Sequence, residues 1–431
     1  MPSFRYLPED ATFDVGGSSV FFQNDNDIPF VMSLLNTKIV LQILKVNNPT
    51  LNFQVKNIRD VPLFSKVNRR SIENNYLQLS SISKLDWDSF ETSWGFTGLQ
   101  VLAHRSSHYL SKAYTSLRHK WETATQEMKQ LEERNNCIFI EAYSLQNELT
   151  PEVPLKEITL ICNPHYRYGN DKNEKELEKL LLADTMKEIL SYIVGCMMGR
   201  YSMDKPGLIL ADAEDTIKNY LTKVELQLNK LNFRPDTDGI IPILDGEWFE
   251  DDIVARTREF LVAAFGATTL EENIRFIEDA LGKDLRKYFT TDFYKDHLKT
   301  YKKRPIYWLF QSPKKGFSAL VYLHRYTRDT ANTLLNGYLR EFMTKLKGRI
   351  AHIDHLLASE ATSAREKAKA LKESDQYKKV LRECEEYERN TLLPLAQARM
   401  ELGLDDGVKV NYQKLGDALA PIPGLAAKDE E

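Results

Sequence analysis

The stretch IPFVMSLLNTKIVLQILKVNNPTLNFQVKNIRDVPL, residues 28–63, joins two periodicities that decide which kind of fold to expect. A turn at residues 47–50 separates them, and the alternating residues Leu51, Phe53 and Val55 that follow predict a strand. Before the turn, apolar residues recur at three- and four-residue steps, which predicts an amphipathic helix: Phe30, Leu34, Leu35, Ile39, Leu41 and Leu44. A helix followed by a strand indicates a small α+β recognition unit.

The spacing of apolar residues in the rest of the chain predicts a predominantly α-helical α+β fold. The first 70 residues or so suggest strand–turn–helix–turn–strand, with residues 4–7 and 12–22 strand-like. Residues 99–134 predict a long amphipathic helix or two joined ones, and 174–198 another helix. Within a helix-rich tract at 251–404, two short strands at 307–310 and 320–323 flank a turn at 312–316, and 358–402 predicts a helical hairpin.

These patterns suggest four segments. Residues 1–97 are expected to form an α+β lobe, and 98–200 a long helix with a connecting segment. Residues 201–425 are expected to form a helical C-terminal domain that carries the basic strand–turn–strand tract. The small and acidic residues 426–431 suggest a frayed tail.

Composition narrows the class of protein. Of 431 residues, 42% are hydrophobic and 28% charged, which is typical of a folded domain and not of a disordered chain. No apolar run approaches the roughly 20 residues that span a bilayer, and the N-terminus lacks the layout of a signal peptide. The four cysteines form no C-x-x-C pair. We therefore expect reduced thiols, a cytoplasmic location, no metal site and no membrane.

The net charge of −4 hides a strong local bias. Residues 299–349 hold only two anions, Asp329 and Glu341, against twelve cations, while acid concentrates at 245–252 and 429–431. Such segregation favours a cationic surface for a polyanion. The alternative is a solvated helix face balanced by an acidic neighbour. The twelve cations are Lys299, Lys302, Lys303, Arg304, Lys314, Lys315, Arg325, Arg328, Arg340, Lys345, Lys347 and Arg349.

Within this tract, cations interleave with aromatic and hydroxyl side chains, a pattern that favours phosphate contacts. A second group of cations lies near the opening stretch, together with Asn52, Gln54 and Asn57, which are side chains of the kind that contact base edges. For Asn52 and Gln54, turn stabilisation is the favoured interpretation. The candidate DNA-binding residues are Lys302, Lys303, Arg304, Lys314, Lys315, Arg325, Arg328, Lys66, Arg69, Arg70, Lys56 and Arg59.

Catalytic motifs are sparse. Residues 158–166 suggest an apolar strand that ends in Asn163-Pro-His-Tyr166, which is similar to the (N/D/S)-P-P-(Y/F/W) motif of adenine methyltransferases with His165 in place of the second proline. No glycine-rich strand–turn–helix for S-adenosylmethionine accompanies it, so a structural turn is favoured over a catalytic site. The pairs His104/His108 and His352/His355 lack the H-E-x-x-H order of a zinc site.

Several stretches together resemble the C-terminal portion of the PglX family, the adenine-specific DNA methyltransferases of BREX phage-defence systems. Two of them, residues 36–63 and 135–149, also resemble single-chain type II restriction–modification enzymes, and the opening stretch resembles the end of a target-recognition domain. The narrower matches are residues 304–313, 317–326 and 404–412.

The resemblance makes residues 1–97 the C-terminal part of a target-recognition-like lobe and the helix of residues 98–200 a spacer helix. It implies a bacterial, cytoplasmic protein that binds and positions duplex DNA for N6-adenine methylation. It places the S-adenosylmethionine site and the catalytic motifs in an N-terminal methyltransferase domain or partner chain, so this chain is expected to bind no cofactor and to be inactive alone. A start at Met1-Pro2 inside a recognition lobe suggests a truncated or split gene. The alternative is a protein-interaction module that docks other BREX components. A complete methyltransferase that uses Asn163–Tyr166 is a third reading.

Overall fold

A computed structural model describes residues 4–7, 19–48, 55–63, 67–103, 107–169, 171–358 and 363–425. Their architecture is predominantly α-helical with one small antiparallel sheet, which confirms the predicted fold class. In the first half of the chain the helices are α1 Ile28–Leu35, α2 Lys38–Asn47, α3 Val55–Arg59, α4 Arg69–Trp87, α5 Gln100–Ala103, α6 Leu110–Ala142, α7 Pro164–Tyr168 and α8 Glu174–Met197.

The described residues of the second half form ten further α-helices and the sheet strands β1 Ile240–Pro242, β2 Tyr307–Gln311 and β3 Ser318–Tyr322. Segments of π-helix at Phe289–Phe293, Leu334–Leu339 and Glu388–Leu392 join consecutive helices. The helices are α9 Ile217–Val224, α10 Ile253–Phe265, α11 Leu270–Leu281, α12 Leu285–Tyr288, α13 Tyr294–Thr300, α14 Thr330–Thr333, α15 Arg340–Ala358, α16 Ala364–Tyr387, α17 Leu393–Ala398 and α18 Gly407–Leu415.

Contacts divide the chain into two compact units, each built from two separate segments. The first comprises Met1–Phe90 and Thr115–Leu181, and the second Glu91–Tyr114 and Leu182–Glu431. The segment boundaries drawn from the sequence at 97 and 200 stay predictions.

In the first unit, the opening stretch is helical where the structure describes it. The single amphipathic helix expected there is two, α1 and α2, because Thr37 caps α2: its hydroxyl accepts from the Val40 N–H at 3.3 Å. The apolar positions lie as predicted, with Phe30 and Leu34 in a core shared with Phe139 of α6.

The strands expected around these helices are not found among the described residues. Val55 begins α3 instead of ending a strand, and residues 4–7 and 19–22 are irregular. Leu51 and Phe53 lie outside the described residues. The helix α4, which the sequence analysis did not predict, follows at once, so strand–turn–helix–turn–strand is wrong for the part described.

No single helix in the described ranges is long and apolar enough to cross a membrane. One bent pair, Asp25–Leu35 with Lys38–Asn47, meets that test by length and composition only, and its halves are turned by 73°.

The long helix predicted at residues 99–134 is present. It is α6, which begins later than expected, at Leu110, and runs on to Ala142, while α5 forms the short piece before it. The helix predicted at 174–198 is α8.

The second unit is built around the sheet, whose strand order is β1–β3–β2. In the hairpin, Tyr307 pairs with Tyr322 and Gln311 with Ser318, as the two predicted strands require. Every residue of β2 and β3 except Gln311 is buried, and the strands share their core with α15, α16 and α18. The helical hairpin expected at 358–402 is shifted: α16 pairs with the preceding α15, and α17 ends the segment.

Candidate nucleic-acid interface

The basic tract does not lie on the hairpin strands, because those strands are core. Two groups of its cations lie instead in the turns at opposite ends of β2. At about 3.3 Å per residue, the five residues of β2 alone separate these turns by roughly 17 Å. The tract therefore forms two surface clusters and not one continuous patch around the hairpin.

The first cluster, at the turn from α13 into β2, contains Lys302, Lys303 and Arg304, all exposed. Lys302 and Lys303 adopt positive φ values of 50° and 61°, and the Lys303 N–H donates to Leu298 O at 2.7 Å to close the turn. Lys299, on the last turn of α13, is also exposed. Within the described part of the chain, none of these four cations forms an ion pair.

The buried side chain of His297 fixes the start of β2 next to this cluster. Its Nε2 accepts from the Ile306 and Tyr307 N–H groups, each at 3.2 Å. Burial, and then the charge of Arg200, lower the pKa of His297 to about 3, so the ring is neutral near pH 7. A neutral ring leaves Nε2 free to accept both bonds.

The second cluster, Lys314 and Lys315, forms the hairpin turn, and both side chains are exposed. One carboxylate from α16 organises it: Glu383 Oε1 accepts from the Lys314 N–H at 2.7 Å, the Gly316 N–H at 3.1 Å and the Ser312 hydroxyl at 2.5 Å. The carboxylate bonds the backbone and not the amines. Both lysine side chains stay without an ion pair among the described residues.

Arg325 is a correction to the predicted surface. It is 6% exposed, and its guanidinium donates to Asp236 O at 2.9 Å and Thr237 O at 2.7 Å. A buried guanidinium committed to backbone carbonyls cannot also meet a phosphate. The aromatic side chains expected to share that surface are also largely internal, with Tyr307, Trp308 and Tyr326 buried.

Five further cations of the tract are paired with acids, as the balanced-face alternative anticipated. Arg328 pairs with Glu401. The other four ion pairs are Arg340–Glu388 at 2.6 Å, Lys345–Glu341 at 2.6 Å, Lys347–Glu385 at 3.2 Å and Arg349–Glu373 at 3.2 Å. Exposed ion pairs contribute little to stability, but they remove most of the apparent positive charge of the tract.

The candidates of the first unit are more dispersed. Arg69 pairs with Asp27 at 2.8 Å and lies over the Phe30 ring, with 5.2 Å from its guanidinium carbon to the ring centroid. Arg70 is exposed beside it at the start of α4. Lys56 and Arg59 are exposed on α3, and the nearby Asn57 accepts from the Asn48 side chain at 3.3 Å. Lys66, Asn52 and Gln54 lie outside the described residues.

Asn163 forms a structural turn, as favoured from the sequence, although the segment before it is not a strand. It is fully buried and caps α7 by accepting from the His165 N–H at 3.2 Å. Its amide donates to Leu155 O at 2.7 Å and Ile158 O at 2.9 Å. An amide used in this way cannot bind the amino group of a flipped adenine, so these residues do not fit the catalytic role.

Of the histidine candidates, His108 has a structural contact, and His352 and His355 are exposed on α15. His108 Nδ1 lies 2.7 Å from Phe265 O, and His104 lies outside the described residues. Three of the four free cysteines are buried, and Cys137 is half-buried. Among the residues that the structure describes, no three His, Cys, Asp or Glu side chains converge as metal ligands would.

One cavity in the second unit was not anticipated from the sequence. It has a volume of about 800 Å³ and is lined by both acids and cations. At its wall the Tyr338 hydroxyl lies 3.1 Å from an Asp238 carboxylate oxygen and 2.9 Å from one of Asp251. Burial, and then the neighbouring Asp236, raise the pKa of Asp238 to about 8, and burial raises that of Asp251. In the sequence, residues 236–239 suggest only a turn.

Comparison with known proteins adds to this geometry. No protein-family model matches the chain. All of it aligns, at 34% identity over 450 residues, with the adenine-specific methyltransferase BrxX of Escherichia coli O9:H4 (strain HS). Over 429 residues, 96% of the chain is 34% identical to the adenine-specific methyltransferase PglX of Lacticaseibacillus casei (strain Zhang). The chain spans 36% and 33% of the length of these two relatives.

Proposed function

Because the chain is a homologue of two adenine-specific methyltransferases along nearly its whole length, we propose that it is the DNA-positioning portion of such an enzyme. Its role is to bind duplex DNA and hold it for N6-adenine methylation in a BREX-type phage-defence system, in the cytoplasm of a bacterium. The observation that carries the proposal is the whole-chain similarity to proteins about three times as long.

The chemistry of transfer is assigned to a methyltransferase domain or partner chain. S-adenosylmethionine is expected to bind there, because this sequence shows no glycine-rich strand–turn–helix to hold it. The contact with the target adenine is expected there too, because the Asn163 amide is buried and bonded to backbone carbonyls. This chain is then expected neither to bind the cofactor nor to methylate DNA by itself.

Affinity for DNA is assigned to clustered cations that are exposed and that have no ion pair among the described residues. Lysine and arginine side chains on the surface neutralise backbone phosphates and release counterions, which gives binding without sequence preference. The clusters at the two ends of β2 supply this charge. The exposed Lys56, Arg59 and Arg70 of the first unit are assigned a smaller share.

The test is binding of the purified chain to a labelled duplex, measured by fluorescence anisotropy at about 50 mM and about 200 mM salt. A variant in which Gln replaces Lys302, Lys303, Arg304, Lys314 and Lys315 is expected to bind at least about tenfold more weakly at low salt, with a shallower salt dependence. Both follow from the loss of phosphate contacts.

A matched control removes the same charge elsewhere in the second unit. It replaces five exposed cations that have no ion pair among the described residues, and it should bind like the unchanged chain. The control substitutes Gln for Lys218, Lys230, Arg275, Lys287 and Lys409.

Absence of duplex binding by the unchanged chain at low salt would overturn the proposal. A complex that this chain forms only with another BREX protein, and that is insensitive to salt, would also overturn it.

A further inference from the structure

The helix α16 is nearly neutral by composition: its 24 residues include seven cations and six anions. Such a helix gives no sign of a charged surface in the sequence. The fold, however, treats the two charges differently, because it engages most of the anions and leaves most of the cations exposed and without ion pairs among the described residues.

Four of the six anions are committed to contacts within the second unit. Glu366 completes a capping box with Ser363, and Glu383 bonds the hairpin turn. Glu373 and Glu385 pair with cations of α15, each at 3.2 Å. The unpaired anions of α16 in the described structure are therefore Asp375 and Glu386.

The cations are distributed in the opposite way. Lys378 pairs with Asp354 at 3.4 Å, and Lys367 is half-buried. The remaining five are exposed and have no ion pair among the described residues: Arg365, Lys369, Lys372, Lys379 and Arg382.

These five cations share one side of the helix with the exposed anions Asp375 and Glu386, so that side carries five cations against two anions, a net charge of +3. The successive separations of the cations, four, three, seven and three residues, are those that bring side chains onto one helical face. From Arg365 to Arg382 the stripe is about 25 Å long at 1.5 Å per residue. Gln376, also exposed, lies on the same stripe between Lys372 and Lys379.

The stripe is continuous with the hairpin-turn cluster. Glu383 accepts the backbone N–H of Lys314 and of Gly316, so the turn sits against α16 next to Arg382. Lys314 and Lys315 thereby extend the row of cations at its C-terminal end.

We infer that the outward face of α16, together with Lys314 and Lys315, forms a single surface that binds the backbone phosphates of duplex DNA. The inference rests on the proposed function and adds the face of α16 to the cationic clusters that it names. Duplex DNA carries one negative charge per about 1.7 Å of axis, so a rigid cationic row of this length can meet several phosphates at once. A helix holds the row straight without further ordering on binding.

The test compares the unchanged chain with a variant in which Gln replaces all five stripe cations, using a labelled duplex of arbitrary sequence. We expect binding about ten- to a hundredfold weaker near 0.1 M salt. The slope of log affinity against log salt should become shallower by about 2 to 4, since each lost phosphate contact removes about 0.9 from it.

The control that replaces Lys218, Lys230, Arg275, Lys287 and Lys409 has the same net charge as the stripe variant and should bind like the unchanged chain. A photo-crosslinker placed at Gln376 gives an independent readout in an otherwise intact surface, and it should attach to the duplex in a salt-sensitive manner.

Two failures can be told apart. Absence of any duplex binding by the unchanged chain overturns the proposed function and this inference together. Normal binding and salt slope in the stripe variant, without crosslinking from Gln376, overturns only the inference and leaves DNA binding to other cations. Capture of an acidic protein by the stripe, with DNA binding unaffected, also overturns it.

Discussion

Arg325 and Lys315 lie ten residues apart in the same basic tract, and the fold uses their charges in opposite ways. Arg325 is buried at the end of β3, where it donates to the carbonyls of Asp236 and Thr237. Lys315 is exposed in the hairpin turn, where its backbone N–H donates to Ser312 O at 2.9 Å and its amine has no ion pair among the described residues. A count of cations along a sequence therefore does not measure the charge that a partner meets.

The largest expected effect comes from the buried side of this comparison. Arg325→Gln should lower the free energy of unfolding by about 3 to 5 kcal/mol, because it leaves buried carbonyls without a donor. Chemical denaturation measures the change. Lys303→Gln, on the exposed side, should alter stability by less than about 0.5 kcal/mol. Equal stabilities for the two variants would break the comparison.

The buried His297 gives the next test of the comparison between buried and exposed basic side chains. Its folded-state pKa, about 3, lies below the unfolded value near 6.5, so the unfolded chain binds the proton first. Its stabilising contribution is complete above pH 6.5 and is lost as the pH falls. From pH 7 to about 4.5, we expect a loss of about 2 to 3 kcal/mol.

His297→Gln keeps an acceptor for the Ile306 and Tyr307 N–H groups but does not titrate. Its stability profile should lack this acid component when urea unfolding is followed across the same range. An unchanged acid slope in the variant would show that another group is responsible.

The buried Arg325 and the exposed Lys315 show what the sequence could and could not predict. Turn residues and flanking apolar runs were enough for the β2–β3 hairpin, and helical periodicity was enough for α6. Nothing local distinguishes Arg325 from Lys315, because burial of a guanidinium depends on carbonyls nearly 90 residues away in the chain. The stripe on α16 was hidden for the same reason, since Glu373, Glu383 and Glu385 are engaged by partners on α15 and in the hairpin turn.

Asp238 tests the acidic side of the same interior, since burial and the neighbouring Asp236 raise the pKa of its carboxyl. Its folded-state pKa, about 8, lies above the unfolded value near 4. The folded protein therefore holds a proton that the unfolded chain has lost, and stability falls as the pH rises through this window. Between pH 6 and 8 we expect a decrease of about 2 kcal/mol.

Asp238→Asn should remove that decrease in stability. It keeps an acceptor for the Ile240 N–H, which donates to Asp238 Oδ1 at 2.9 Å. Thermal unfolding at pH 6 and pH 8 measures the difference. A variant that loses as much stability as the unchanged chain over this range would contradict the assignment.

A smaller effect is expected at Glu383, where the interior meets the exposed turn. Glu383→Gln keeps the shape and one acceptor oxygen but weakens three charge-assisted bonds to Ser312, Lys314 and Gly316. We expect a loss of about 1 to 2 kcal/mol in denaturant unfolding. Glu386→Gln, on the exposed side of the same helix, is the matched control and should leave stability unchanged.

The smallest effect separates stability from binding at Lys315 itself. Its φ of 65° is one that glycine adopts without cost and a lysine does not. Lys315→Gly should therefore raise the free energy of unfolding by about 0.5 to 1 kcal/mol, while it weakens duplex binding through the lost charge. Opposite signs in the two measurements would indicate that the exposed lysine is retained for a partner. Lys315→Asn tolerates the same backbone conformation and lacks the charge, so it should weaken duplex binding equally. If either variant is less stable than the unchanged chain and binds the duplex as tightly, this turn serves folding and not binding.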